Sequence, residues 1–339
     1  MNFFNRTGSE EQGMMHEGPL LFAIGATRAF AQGVAEALRV GLAPLEERAF
    51  EDGEHKSRPL SNVRDSDVYL LHALDGDATG SVNDKLCRLL FLAATLRDHG
   101  AARVTAVCPY LAYARKDRRT RPGDPVTMRY VAALVESMGV DRVVALDVHN
   151  PAAYENAFRI PAVHLHARRV LAGTVAAHIG NAAPTVVSPD TGGTKRAEAF
   201  RRELETRCGP LPPLAFVEKY RSEGRVTGEG FAGDVERRVG VIVDDLAASG
   251  TTLLRAARAC RERGAAGVVC VVTHGVFASG ALALFEDGVI DRLFVTDSVA
   301  PRLCEHWQGR VEQTSVQPLF AQVIAALHQG GPLPDSVAE

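Results

Sequence analysis

Residues 239–253 constrain this chain more than any other stretch. They read V-G-V-I-V-D-D-L-A-A-S-G-T-T-L: a short apolar run, then Asp244 and Asp245, then a loop of small and hydroxylated residues from Ala247 to Thr252. A helical pattern follows as far as Gly264. An apolar run without polar alternation predicts a strand buried on both faces of a parallel sheet. Ligands of such sheets bind beyond the carboxyl ends of the strands, which is where the two acids fall. The loop adds backbone N–H groups around Gly250, the hydroxyls of Ser249, Thr251 and Thr252, and a helix N-terminus, which together form an anion site. Acids that accept from sugar hydroxyls, beside a cradle for phosphate, describe a phosphorylated sugar. The plainer alternative is a strand that ends in two solvated acids before an N-capped helix.

The same alternation of short apolar runs and longer helical patterns continues through most of the 339 residues. Strands spaced by helices imply parallel sheets covered on both faces, an α/β architecture. One series runs from residue 20 to the strand at 143–146, and a second begins at 162–163. The division expected is a loose tail at 1–18, a first domain over 19–160 completed by 305–328, and a second domain over 161–304. Hydrophobic residues make up 46% of the chain and the net charge is −3, so cores can form and nothing general favours nucleic acid. The first apolar run, residues 20–24, is far too short to span a bilayer. Six cysteines without a C-x-x-C pair read as reduced, buried thiols of a cytoplasmic protein.

Two nucleotide motifs are absent or unconvincing. No Gly-Lys pair exists anywhere, so no P-loop does. The glycines at 228, 230 and 233 satisfy G-x-G-x-x-G formally, but they follow a charged stretch and open no helix, so they are expected to form a flexible loop. Other segments place chemistry at strand ends. After the strand at 104–108 comes P-Y-L-A-Y-A-R-K-D-R-R, residues 109–119, whose Arg115, Lys116 and Asp117 stand among tyrosines. Arginine there can stack on a base and meet phosphate oxygens, although charge runs are often only solvated faces. His149 ends the strand at 143–146, and Asp190 follows another in V-V-S-P-D-T-G-G. Phe50, Asp52 and Glu54 sit in an acidic turn built on Gly53. Lys219 and Arg221 lie at the root of a glycine-bearing stretch, where a closing loop could bring cations to a phosphoryl group.

Taken in order, these segments resemble the ribose-phosphate diphosphokinase (PRPP synthetase) family over residues 20–327. The match rests on F-E-D-G-E, Y-A-R, S-P-D-x-G-G, V-T-H-G-V-F and the D-D…G-T-T loop. The resemblance implies two phosphoribosyltransferase-type domains, each a mostly parallel sheet flanked by helices, and transfer of a diphosphoryl group from ATP to ribose 5-phosphate. It assigns ATP to Arg115, Lys116, Asp117 and to Phe50, Asp52 and Glu54 of a neighbouring subunit. Ribose 5-phosphate falls to Asp244, Asp245, Ser249, Gly250, Thr251, Thr252 and Asp190, catalysis to Lys219 and Arg221, and Mg2+ to His149 and Asp190. It also implies a dimer-based homo-oligomer, up to a hexamer, with shared sites and no nucleic-acid or membrane partner. Lys116 stands where relatives carry Gln, Ala248 where many carry an acid, and Thr251 where they carry Gly. A β-branched Thr251 suits positive φ poorly, so the loop is expected to close differently. Lys116 bears on the choice of donor nucleotide, whereas Ala248 and Thr251 keep open a catalytically silent, regulatory relative; those two also suggest the branch that works without phosphate activation and accepts several nucleoside triphosphates.

Overall fold

The computed structural model describes residues 18–222, 225–300, 302, 307, 309–335 and 337, without the side chains of 218–229, 279, 280 and 282. The tail expected at 1–18 therefore lies, apart from Gly18, outside the described residues.

Every strand of the first sheet is a short, unalternated apolar run, and all five pair in parallel. These are β1 (Leu20–Ala23), β4 (Asp67–Leu71), β5 (Arg103–Cys108), β6 (Arg142–Leu146) and β7 (Ala162–Leu165), in the order β1-β4-β5-β6-β7. Helices α1 (Arg28–Leu38), α2 (Val82–Asp98), α3 (Thr127–Ser137) and α4 (Pro151–Ala157) connect them. A capping box starts α2: Ser81 Oγ accepts from Asp84 N while Asp84 accepts from Ser81 N. The second sheet runs β10-β9-β8-β11-β12-β13-β14. Its members are β8 (Pro184–Ser188), β9 (Leu214–Ser222), β10 (Arg225–Ala232), β11 (Val239–Leu246), β12 (Gly267–His274), β13 (Arg292–Thr296) and β14 (Val311–Thr314). Only the β9–β10 pair is antiparallel. Helices α5 (Arg168–Ile179), α6 (Thr194–Cys208) and α7 (Thr251–Glu262) belong to this half, and α8 (Gln317–Gln329) ends the regular structure.

One apolar cluster crosses both halves. Leu21, Tyr69 and Val144 of the first sheet join Val186, Val241 and Phe294 of the second through helix residues such as Phe30, Val175 and Phe320. The two sheets are thus bridged by a shared helical layer, and Phe30 meets Phe320 edge to face at 5.4 Å. Burying such aromatic rings stabilises by several kcal/mol in total, at about 25 cal/mol per Å².

Four sequence expectations need correction. The run at 162–163 does not open the second series: β7 pairs with β6 in register Val143↔Ala162, so the first sheet continues past residue 161. Nor does 305–328 complete the first domain as one piece, because β14 extends the second sheet beside β13 while α8 packs on α1. The glycines at 228 and 230 lie in strand β10, paired with β9 across a register shift, and not in a flexible loop. Glycine weakens a strand and blurs its pattern, which hid this one. At Gly233, φ is +110° and an added Cβ would stand 2.6 Å from Ala215 Cβ and 2.7 Å from its Cα, so the close return of the chain requires glycine. The acidic turn expected at residues 50–54 is present, as the tip of an antiparallel ribbon, β2 (Leu45–Ala49) with β3 (His55–Pro59). The ribbon is held by Glu46, which pairs with Lys56 and Arg58, and a mostly exposed ribbon shows no apolar alternation. Of the described cysteines, Cys108, Cys260 and Cys270 are buried as expected, whereas Cys87 is exposed on α2.

Candidate active site

Strands β5, β6, β8 and β11 all point their carboxyl ends at one cavity of about 840 Å³. Parallel pairing sends the strand ends of each sheet to one side, and contacts such as His149–Asp245 bring the ends of the two sheets together. Arg115, Asp117, His149, Asp190, Asp244, Asp245 and residues 249–252 all line it. Sequence positions as far apart as 115 and 252 therefore meet where strand-end reasoning put them.

The acidic pair is tied from two sides. Asp245 Oδ2 lies 2.8 Å from His149 Nδ1, which brings the end of β6 onto the end of β11. Arg196 on the first turn of α6 donates to Asp244 Oδ1 at 3.0 Å, lies 3.4 Å from Asp245 Oδ1, and reaches the His149 carbonyl at 3.5 Å. Burial, then the charge of Asp245, pushes the Asp244 carboxyl well above the usual range. For Asp245 burial acts in the same direction, but the His149 bond and the Arg196 charge outweigh it and hold the carboxyl down. The Asp245 bond raises His149 in turn. Two neighbouring carboxylates thus divide into one that readily holds a proton and one that stays ionised.

Beside them is the anion cradle. Gly250 has φ +74° and its carbonyl accepts from Leu254 N at 2.9 Å, so it is the left-handed residue from which α7 starts. Thr251, expected to disturb the loop, is instead the first residue of α7, and the demand for positive φ falls on Gly250. The N-cap of α7, Gly250, has no side chain to cap it, and only Ser249 Oγ reaches in, accepting from Thr251 N at 3.5 Å. The first turn of α7 lines the cavity beside the hydroxyls of Ser249 and Thr251, which lie 3.0 Å apart, and leaves backbone N–H groups there for an anion.

Asp190 caps the 3-10 turn at Thr191–Gly193, accepting from Gly193 N at 3.0 Å. Sequence reasoning passed over Asp147, two residues before His149. Its backbone is left-handed at φ +36°, and its carboxylate accepts from Ala167 N at 3.0 Å and Thr273 Oγ1 at 2.6 Å. These bonds span both sheets. Asp147, His164 and His166 bring donor atoms within 4.8 Å of one another, a spacing a metal ion could use. His164 Nε2, however, accepts from Val148 N at 3.0 Å, so its neutral ring carries its proton on Nδ1 and has no lone pair left to offer. The trio is a hydrogen-bonded joint.

Three other expectations fall elsewhere. Lys116 does not line the cavity; its ammonium pairs with Asp124 at 2.8 Å. Phe50, Asp52 and Glu54 stand at the ribbon tip and contribute nothing to their own chain's cavity, with Phe50 exposed under the guanidinium of Arg48. Lys219 and Arg221 belong to β9, but their side chains lie outside the described residues.

Paired acids and a helix N-terminus at the strand ends of an α/β chain are the parts that an enzyme of phosphorylated sugars needs. Residues 20–139 match the model of the N-terminal domain of ribose phosphate pyrophosphokinase, and residues 227–334 that of the phosphoribosyl synthetase-associated domain. The chain is 36% identical to the ribose-phosphate pyrophosphokinase of Vibrio vulnificus over 306 residues, covering 90% of this chain and 94% of that one. It is 33% identical to the enzyme of Listeria ivanovii over 312 residues, 91% and 94% of the two chains. The crystal structure of phosphoribosylpyrophosphate synthetase from Mycobacterium smegmatis superposes with a TM-score of 0.84 at 30% identity, over 93% of this chain and all of the other. The chain belongs to the ribose phosphate pyrophosphokinase family.

Proposed function

We propose that this protein is a cytoplasmic ribose-phosphate diphosphokinase, which moves the β,γ-diphosphoryl group of ATP to the C1 hydroxyl of ribose 5-phosphate. The observation that carries this reading is the meeting, in one cavity, of the Asp244–Asp245 pair and α7 cradle with Arg115 and Asp117 from the other sheet. The sugar phosphate occupies the N-terminus of α7, held by Ser249, Gly250, Thr251 and Thr252. Asp244, Asp245 and Asp190 accept from sugar hydroxyls. Arg115 and Asp117 receive the nucleotide, and Lys116 supports them from outside the cavity. The C1 oxygen bonds to the β-phosphorus as the bond from that phosphorus to the α-bridging oxygen breaks. AMP leaves with the electron pair, and the hydroxyl proton is released. Lys219 and Arg221 on β9 place positive charge against the transferring group, so the protein supplies positioning and charge and no covalent nucleophile.

The donor set also suits Mg2+. That ion takes oxygen ligands and keeps several waters, and the carboxylates that line the cavity are of that kind. Asp190 would hold it together with phosphate oxygens, and His149 is left only its Nε2 because Nδ1 is engaged with Asp245. When bound, the ion neutralises charge on the phosphates. The ribbon tip carrying Phe50, Asp52 and Glu54 does not line its own cavity, which supports a homo-oligomer, dimer-based and up to a hexamer, whose sites are completed by a neighbour. AMP release from ATP that depends on ribose 5-phosphate, with PRPP formed in equal amount, tests the reading. ATP bound but no AMP released would make the chain a silent regulatory relative. Running the assay without phosphate, and with GTP or CTP in place of ATP, tests the branch expected from Ala248 and Thr251.

A further inference from the structure

The segment between β5 and α3 has no regular structure, yet its side chains divide cleanly. Arg115, Asp117 and Arg118 line the cavity, whereas the side chains of Lys116 and Thr120 and the backbone N–H of Arg121 turn to a single acid outside it. That acid is Asp124. Its Oδ2 accepts from Lys116 Nζ at 2.8 Å, Thr120 N at 2.9 Å, Thr120 Oγ1 at 2.6 Å and Arg121 N at 3.0 Å. Arg119 Nε donates to its backbone carbonyl at 3.2 Å. On the inner side, Asp117 Oδ2 accepts from Asn150 Nδ2 at 2.7 Å, next to His149. The segment is therefore fastened from both sides.

We propose that Asp124 is a positioning residue for the nucleotide half of the reaction, fixing residues 115–121 so that Arg115, Asp117 and Arg118 stand in the cavity wall before ATP arrives. This rests on the function proposed above. Three observations separate the role from ordinary packing. Asp124 does not cap α3, whose N-cap is Val126 without any side-chain bond, so the helix does not depend on it. Arg115, Arg118, Arg119 and Arg121 carry like charge within seven residues, and Asp124 ties this run through Lys116 Nζ, the Arg121 backbone N–H and the Arg119 guanidinium at its own backbone carbonyl. Tyr113, at the root of the segment, holds φ +62°, a costly conformation for an aromatic residue that the surroundings must impose. The Lys116 bond and then the Thr120 bonds hold the Asp124 carboxyl well below the usual range, so it stays ionised at neutral pH. A loop ordered in advance spares the nucleotide the entropy of ordering it on binding. Lys116, which stands where relatives carry Gln, is thus half of a loop fastening, and its charge is spent on Asp124.

The test compares Asp124→Ala and Asp124→Glu with the wild-type protein. Asp124→Ala should raise the KM for ATP about tenfold, as expected when a pre-ordered binding loop is released. The KM for ribose 5-phosphate and the melting temperature should not change, trypsin should cut at 115–121 faster, and Asp124→Glu should recover most of the loss. Calorimetric titration with Mg-ATP gives the same comparison without turnover. A wild-type chain that binds ATP but makes no PRPP would sink the proposed function and still decide the role of Asp124. The inference is overturned if Asp124→Ala keeps the wild-type ATP affinity and trypsin pattern. It is equally overturned if both substrates weaken together as the melting temperature falls.

Discussion

Gly250→Ala probes the point where backbone geometry becomes chemistry. Gly250 is left-handed at φ +74°, and an added Cβ would stand 2.5 Å from both Cγ and Cδ2 of Leu284, a residue that is 1% exposed. Holding alanine in the left-handed region costs about 1–2 kcal/mol. Forcing one carbon against a buried leucine adds about 1–3 kcal/mol. If the loop keeps its shape, the fold loses about 2–5 kcal/mol in sum. If the loop instead relaxes to negative φ, much of that strain disappears, but the N–H groups at the start of α7 no longer face the cavity. One arm therefore appears in stability and the other in sugar binding. Urea unfolding measures the first, and the KM for ribose 5-phosphate at saturating ATP measures the second. A variant with both the wild-type midpoint and the wild-type KM would refute the claim that Gly250 shapes the anion cradle.

Three further outcomes are expected. Asp245→Ala should raise the KM for ribose 5-phosphate strongly with little change in melting temperature, because Arg196 keeps its 3.0 Å bond to Asp244 and one source of like-charge repulsion is gone; unfolding with unaltered sugar affinity would make the pair structural. Lys219→Ala should lower kcat by about 10²–10³-fold and leave both substrates bound, as for loss of one charge aimed at a transition state, and near-normal kcat with weakened ATP binding would reduce Lys219 to a binding group. His72, buried and near Lys85, has its pKa lowered to about 3 from an ordinary 6.5. Thr27 Oγ1 accepts from Ala73 N and lies 3.3 Å from His72 Nδ1, while His72 Nε2 is buried without a hydrogen-bond partner, so a protonated ring would bury an unmatched N–H. A depressed pKa stabilises the fold above the unfolded value, and that stability is lost as pH falls below about 6.5 towards 3, at about 2 kcal/mol between pH 7 and pH 5. Urea unfolding of the wild-type protein and His72→Gln at both pH values should show a smaller loss in the variant, and equal losses would exclude His72 as the source.

The strand ends were legible from sequence because burial on both faces leaves a local mark. Residues 239–246 carry only apolar side chains and glycine until the two acids, so the run itself shows where the sheet stops and a ligand site begins. The rejection of a dinucleotide fold at Gly228–Gly233 was equally local, since no strand-to-helix turn follows. Tertiary structure alone decided which partners these ends would meet. His149 and Asp245 are 96 positions apart, and Asp124 takes up Lys116 only because the intervening arginine-rich segment folds back on it. Likewise β7 joins the first sheet through register with β6, and β14 and α8 part company although only residues 315 and 316 separate them in sequence. The β2–β3 ribbon and β10 escaped notice because exposed or glycine-bearing strands bury too little to impose a period on their residues. Periodicity records how deeply a residue is buried, whereas pairing is a long-range choice made by the energy of the whole chain.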